Sequence, residues 1–172
     1  MPRRVAWVAL GGNLGQVADT FRVALRDMAT WPGTQLLGVS ALYETQPWEA
    51  QGPLFLNAVS AWSTALGPQE WLSAMLALEN RLGRERPHLH APRSLDLDLL
   101  AFDDHRSATP FLQLPHPRAL ERAFVLAPWA ELRNRVGSFG QPPLPDAAEL
   151  ARLCEAQGAT LSRAPGWEKT VD

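Results

Sequence analysis

Residues 91–102, reading A-P-R-S-L-D-L-D-L-L-A-F, constrain this chain more than any other stretch. Leu95, Leu97 and Leu99 alternate with Asp96 and Asp98, the two-residue period of a β-strand with one apolar face and one polar face. The leucines belong to a core. The two carboxylates then emerge on one face, with Cα atoms about 7 Å apart. Two short carboxylates at that spacing can converge on hard cations, and Asp is a natural Mg²⁺ ligand. A bare D-x-D also fits a half-wet strand with no ligand. Pro92 and Arg93 at the start of the run favour a site that handles Mg²⁺ together with polyphosphate, because a guanidinium pairs with phosphate oxygens.

The preceding residues organise around that strand. Residues 5–10 are a short apolar run that reads as a buried strand. Gly11-Gly12-Asn13 ends it as a sharp turn without the spacing of a dinucleotide-binding glycine loop. Val17, Phe21, Ala24, Leu25 and Met28 recur at helical spacing and predict a helix over about residues 16–30, stopped by Trp31-Pro32-Gly33. Residues 35–45 and 55–64 read as the second and third strands. Between them lies a Pro- and Gly-containing loop whose Trp48 is either a lid over a pocket or a flap on the core. Asn57 shares a strand face with Phe55, which suits the edge and plane of a flat heterocycle and equally suits a polar strand edge.

Gly67-Pro68 opens a second helix with a core stripe of Trp71, Met75, Leu78 and Leu82, and Glu79 stands at its margin. Residues 84–93 form a basic loop feeding the D-x-D strand. A turn at 103–105 and a short strand at 112–114 follow. The next helix carries Leu120, Arg122, Phe124, Val125 and Leu126. A Gly/Pro-rich connection over 137–145 leads to a last helix, 147–157, capped by Asp146, and the tail is expected to fray from Arg163.

The order β-α-β-β-α-β predicts an α+β fold of ferredoxin-like type. Such a fold is an antiparallel sheet with two helices on one face, here with extra C-terminal helices. Residues 1–172 read as a single domain with its core at about 4–133. A net charge of −2 and the lack of a basic tract disfavour a general nucleic-acid binder. No apolar run reaches membrane-span length, and the N-terminal flanks do not suit a signal peptide. The single cysteine, Cys154, excludes a disulfide framework and a cysteine-built zinc site, and suits a reducing cytoplasm.

Five groups of residues occur in order: V-A-L-G-G-N-L; L-Y-E-T-Q-P with F-L-N-A-V; E-N-R-L-G-R-E-R; the D-x-D strand; and L-P-H-P-R-A-L-E-R-A-F-V-L. Together, over residues 5–132, they resemble the 6-hydroxymethyl-7,8-dihydropterin pyrophosphokinases of folate biosynthesis. The resemblance implies transfer of a pyrophosphoryl group from the co-substrate ATP to the pterin hydroxymethyl oxygen, leaving AMP. It implies two Mg²⁺ ions held by Asp96 and Asp98. The transfer needs no strong base, since a metal-ligating Asp near the hydroxyl can accept its proton late, and Asp98 is the candidate. Arg84, Arg86, Arg93 and Arg122 would face phosphates, Arg84 and Arg93 acting with the aspartates in catalysis. Glu79 and His116 would lie on the nucleotide side, and Leu99 and Gln113 would offer backbone groups to adenine. The pterin would sit between Phe55 and Phe124, with Thr45 and Asn57 on its edge and Gln46, Trp48 and His90 in the covering loops.

Four residues depart from the family pattern: Leu76 for a glutamine, His90 for an aromatic, Trp48 for a smaller apolar residue and Phe55 for a tyrosine. The implied partners are small molecules rather than nucleic acid or membrane, and the implied state is a cytoplasmic monomer. Another Mg²⁺-dependent nucleotidyltransferase or phosphohydrolase would share the acids and arginines. A ferredoxin-like RNA-binding module would instead need exposed aromatics on its central strands, the part Trp7 and Trp62 could play.

Overall fold

Strand β1 (Arg4–Gly12) is buried from Ala6 to Leu10 on both faces, as suits a strand with neighbours on each side and helices above and below. The computed structural model describes residues 3–13, 15–45, 54–82, 95–137, 139–157, 161–164 and 167. Strands β2 (Gln35–Val39) and β3 (Leu42–Thr45) lie in turn along one side of β4 (Phe55–Thr64). On its other side β4 pairs antiparallel with β1, and β1 pairs antiparallel with β5 (Asp96–Phe102). A small hairpin of β6 (Ser107–Ala108) and β7 (Gln113–Leu114) stands apart, and β8 (Leu161–Ala164) pairs with β3. Among the described residues the main sheet therefore has six strands, ordered β5-β1-β4-β3-β8 with β2 also on β4.

Helices α1 (Val17–Met28) and α2 (Pro68–Arg81) cover one face, burying Phe21, Met28, Trp71 and Met75 against Val8, Leu10, Trp62, Leu97 and Leu99. The Arg81 guanidinium grips both Asp27 carboxylate oxygens, at 3.0 and 3.1 Å, and ties the two helices together. This is the expected α+β, ferredoxin-like arrangement. Helix α3 (Ala123–Val136) adds a layer on the opposite face, where Val125, Trp129 and Leu132 pack on Trp7, Val59, Ala61 and Leu100. Trp7 and Trp62 are both completely buried. Neither can stack on a nucleic-acid base, so the RNA-binding alternative loses its platform.

The structure revises four boundaries. The first strand, expected to turn at Gly11, stays paired with β4 through Gly12. The strand expected over 35–45 breaks at Ser40, because the Ser40 hydroxyl, not a backbone carbonyl, accepts the Val59 N–H at 3.0 Å. The helix expected to carry Arg122 also breaks there. A short 3-10 turn, Ala119–Glu121, ends at an extended Arg122 (φ −112, ψ 113), and α3 begins at the next residue. The tail does not fray at Arg163: Leu42 to Thr45 of β3 pair with residues 164 to 161. The buried Trp167 then donates its indole N–H to the Ser40 carbonyl at 2.9 Å, with its ring edge-on to Phe21. Helix α4 (Ala147–Ala156) does start at Asp146, whose carboxylate accepts the Glu149 N–H at 2.8 Å.

Candidate active site

Residues paired across an antiparallel ladder project to the same face. The register sets Asp96 opposite Gly11, Gly11 opposite Asn57 and Asn57 opposite Tyr43; Asp98, Ala9 and Val59 form the adjacent row. Thr45 and Phe55, themselves paired, fall on that same face. One sheet face thus carries both aspartates at one edge and Thr45, Phe55 and Asn57 toward the other. Two strand spacings separate Asp96 from Asn57, about 10 Å between Cα atoms. Gly11 keeps the floor between them open. A Cβ there would stand 3.1 Å from Asn57 Oδ1, closer than ordinary contact.

The rest of the site lies along the outer edge of β5, where no further strand of the main sheet pairs among the described residues. A cleft of about 340 Å³ is bounded by Leu72, Leu76 and Glu79 of α2, by β5, and by Phe111, Gln113 and His116 beyond it. Glu79, expected at the margin of its helix stripe, is only 2% exposed and accepts the Leu97 N–H at 2.6 Å. Further along, the Leu100 carbonyl accepts the His116 N–H at 2.9 Å. Leu99 lines the cleft between these two anchored groups, and alternation from Leu97 points its N–H to the same edge. A backbone donor at a cleft wall suits an acceptor nitrogen on the edge of a nucleobase. Leu76 and Phe111, 37% and 53% exposed, supply apolar surface beside it.

His116 closes the cleft near the acids, its Nε2 3.7 Å from Asp98 Oδ1. Burial pushes its pKa below the usual histidine value. Asp98 pulls the other way, Arg122 adds to the depression, Asp96 opposes it and Arg118 favours it. The ring is therefore neutral at pH 7. Because Nδ1 already accepts the Arg118 N–H at 3.2 Å, the proton sits on Nε2, where it can be donated to an anionic oxygen. The Arg122 guanidinium lies 5.8 Å from the centre of the Phe124 ring, linking the histidine side of the site to the aromatic one. The Thr45 hydroxyl is buried with no hydrogen-bond partner among the described residues, an orphan that a bound ligand could satisfy.

Asp96 and Asp98 share a face as the alternation requires, both partly exposed. Among the described residues no group of three or more metal-ligating side chains gathers anywhere. Two carboxylates are nevertheless a fitting donor set for Mg²⁺, which keeps waters and takes substrate phosphate oxygens for its remaining positions. Gln46, Trp48, Arg84, Arg86, His90 and Arg93 lie outside the described residues. Neither the floor at Gly11, which reads in the sequence as part of a turn, nor the wall at Phe111 was legible before folding; only the strand's continuation two positions past Ala9 puts Gly11 on this face.

The family model described as 7,8-dihydro-6-hydroxymethylpterin-pyrophosphokinase (HPPK) matches residues 7–134. The chain belongs to this family. It is 38% identical over 164 residues to the 2-amino-4-hydroxy-6-hydroxymethyldihydropteridine pyrophosphokinase of Pseudomonas aeruginosa, covering 93% of this chain and 96% of that protein. The enzyme of the same name from Bacillus subtilis is 40% identical over 134 residues, 77% of this chain and 80% of that protein. Among solved structures, the HPPK-DHPS of Plasmodium falciparum with pteroate aligns with a TM-score of 0.63 over 90% of this chain. This chain spans only 44% of that one, and at 12% identity the likeness speaks for the fold alone.

Proposed function

We propose that this HPPK-family chain moves a pyrophosphoryl group from ATP to the hydroxymethyl oxygen of 6-hydroxymethyl-7,8-dihydropterin, a step of folate biosynthesis, on the face that carries Asp96, Gly11 and Asn57. The observation that carries the reading is the ladder register, which sets a pair of acids and an amide on either side of a bare glycine.

In this reading the Asn57 amide and the orphan Thr45 hydroxyl hold the pterin edge, while Phe55 and Phe124 lie against its faces. The Leu99 backbone edge, with Gln113, takes adenine in the cleft beside Leu76 and Phe111, and Glu79 fixes that edge from behind. The phosphate chain crosses above Gly11. His116 donates from Nε2 to a phosphate oxygen, and Arg122 offsets negative charge, as would Arg84, Arg86 and Arg93 from the sequence reading. Asp96 and Asp98 would hold two Mg²⁺ ions, which when bound supply charge neutralisation on the triphosphate and on the departing AMP. The pterin alcohol attacks the β-phosphorus in line, so most of the acceleration comes from positioning two substrates. Asp98 takes the hydroxyl proton late in the step, and no stronger base is needed. Covering loops that exclude water would prevent wasteful ATP hydrolysis. The enzyme works in this reading as a cytoplasmic monomer, and a dimer mass by light scattering would revise that part alone.

The deciding experiment is chromatography of ATP and Mg²⁺ incubated with the protein, with and without the pterin alcohol. AMP and pterin diphosphate should form in equal amounts, and only when the alcohol is present. ADP or free pyrophosphate as the main product would instead favour a hydrolase or a nucleotidyltransferase.

A further inference from the structure

Helix α4 lies beyond the residues that the family model matches, and none of its side chains is fully buried. Its contribution to the core is therefore small. What it does deliver is Gln157, at its C-terminal end, to the start of α3. Gln157 Oε1 accepts the Ala123 N–H at 3.1 Å, and Gln157 Nε2 donates to the Glu121 carbonyl. These two backbone groups bracket Arg122. No side chain of α3's own N-terminus caps that helix, so one of its first free N–H groups is satisfied from outside. The carboxamide also spans the junction where the 3-10 turn gives way to α3, the one place in this stretch where the backbone is extended.

We infer that Gln157 is a positioning residue for the transfer reaction, acting through Arg122 and Phe124 and never touching substrate itself. The proposal rests on the site assignment above. The Arg122 guanidinium stands over the Phe124 ring, 5.8 Å from its centre. A shift of the 121–123 junction therefore moves the pterin-facing ring and a phosphate-facing cation together. Free rotation about Arg122 would let both wander, whereas a side chain bonded to the carbonyl before it and the amide after it allows neither. Small misplacements of groups that position a substrate are costly.

The test is binding of fluorescent 6-hydroxymethylpterin to the full chain, with thermal melts as a check on folding. Gln157→Ala should raise the pterin Kd about three- to tenfold, within the range of one net hydrogen-bond contribution. Gln157→Glu keeps the acceptor for the Ala123 N–H but sets a carboxylate oxygen against the Glu121 carbonyl, so it should raise the Kd at least as much as Gln157→Ala; it carries the test alone if the alanine variant does not fold. The discriminating measurement is the double variant. In a Phe124→Ala background, which has already lost the ring, Gln157→Ala should change Kd by less than about twofold. An unchanged Kd in both single variants, or effects that simply multiply in the double variant, would overturn the inference. Failure of the wild-type protein to bind the pterin would overturn the site assignment beneath it instead.

Discussion

Gly11 offers the sharpest test of the shared sheet face. It sits in extended strand backbone opposite both Asp96 and Asn57, and its only role in the proposed site is to have no side chain. Gly11→Ala places a methyl 3.1 Å from Asn57 Oδ1, where ordinary contact begins at 3.4 Å, so the carboxamide must retreat by a few tenths of an ångström. Such a retreat weakens or breaks one hydrogen bond to the pterin edge. A net contribution of about 0.5–1.5 kcal/mol corresponds to a pterin Kd raised about 2- to 12-fold. Stability should barely move. Alanine is favoured over glycine in a strand by about 0.5–1 kcal/mol, which offsets the steric push. At about 2–4 °C per kcal/mol for a chain of this size, the Tm should stay within about 3 °C of wild type. The assay is pterin fluorescence titration beside a thermal melt. An unchanged Kd would show that nothing binds over Gly11, and a large fall in Tm would show that its bareness serves packing and not a ligand.

Asp96→Ala and Asp98→Ala remove partly exposed carboxylates and no core contact. Each should lower turnover more than about 100-fold, as expected for several kcal/mol of charge stabilisation, and raise the Mg²⁺ concentration needed for half-maximal rate. Near-normal rates with an unchanged Mg²⁺ requirement would dismiss the metal assignment. Trp167→Ala deletes a buried ring and its bond to Ser40. It should cost about 3–5 kcal/mol and so lower Tm by about 6–20 °C, while a shift under about 3 °C would mean the tail is not anchored there. Burial pushes the Cys154 thiol above its usual pKa, so it holds less reactive thiolate at mildly alkaline pH than a free cysteine. Iodoacetamide should label it more slowly than a model thiol, and at the model rate once urea unfolds the chain; labelling faster than the model thiol in the folded state would contradict that environment.

What the sequence by itself determined is what neighbouring residues can express. The alternation of Leu95 to Leu99 settles which face of β5 the acids take, and the spacing of Val17, Phe21, Leu25 and Met28 settles which side of α1 is buried, because side-chain direction within one element follows from its own period. Family membership was legible for the same reason, as short runs in order. Only the tertiary structure decided which residues stand across from one another. Gly11 beside Asn57, Glu79 turned inward to the Leu97 N–H, Gln157 bridging residues 121 and 123, and the tail laid against β3 all join positions far apart in the chain. An acid at a stripe's margin or an amide at a helix end reads alike whether it meets water or a distant backbone group. The choice between them is made by packing, which no local pattern records.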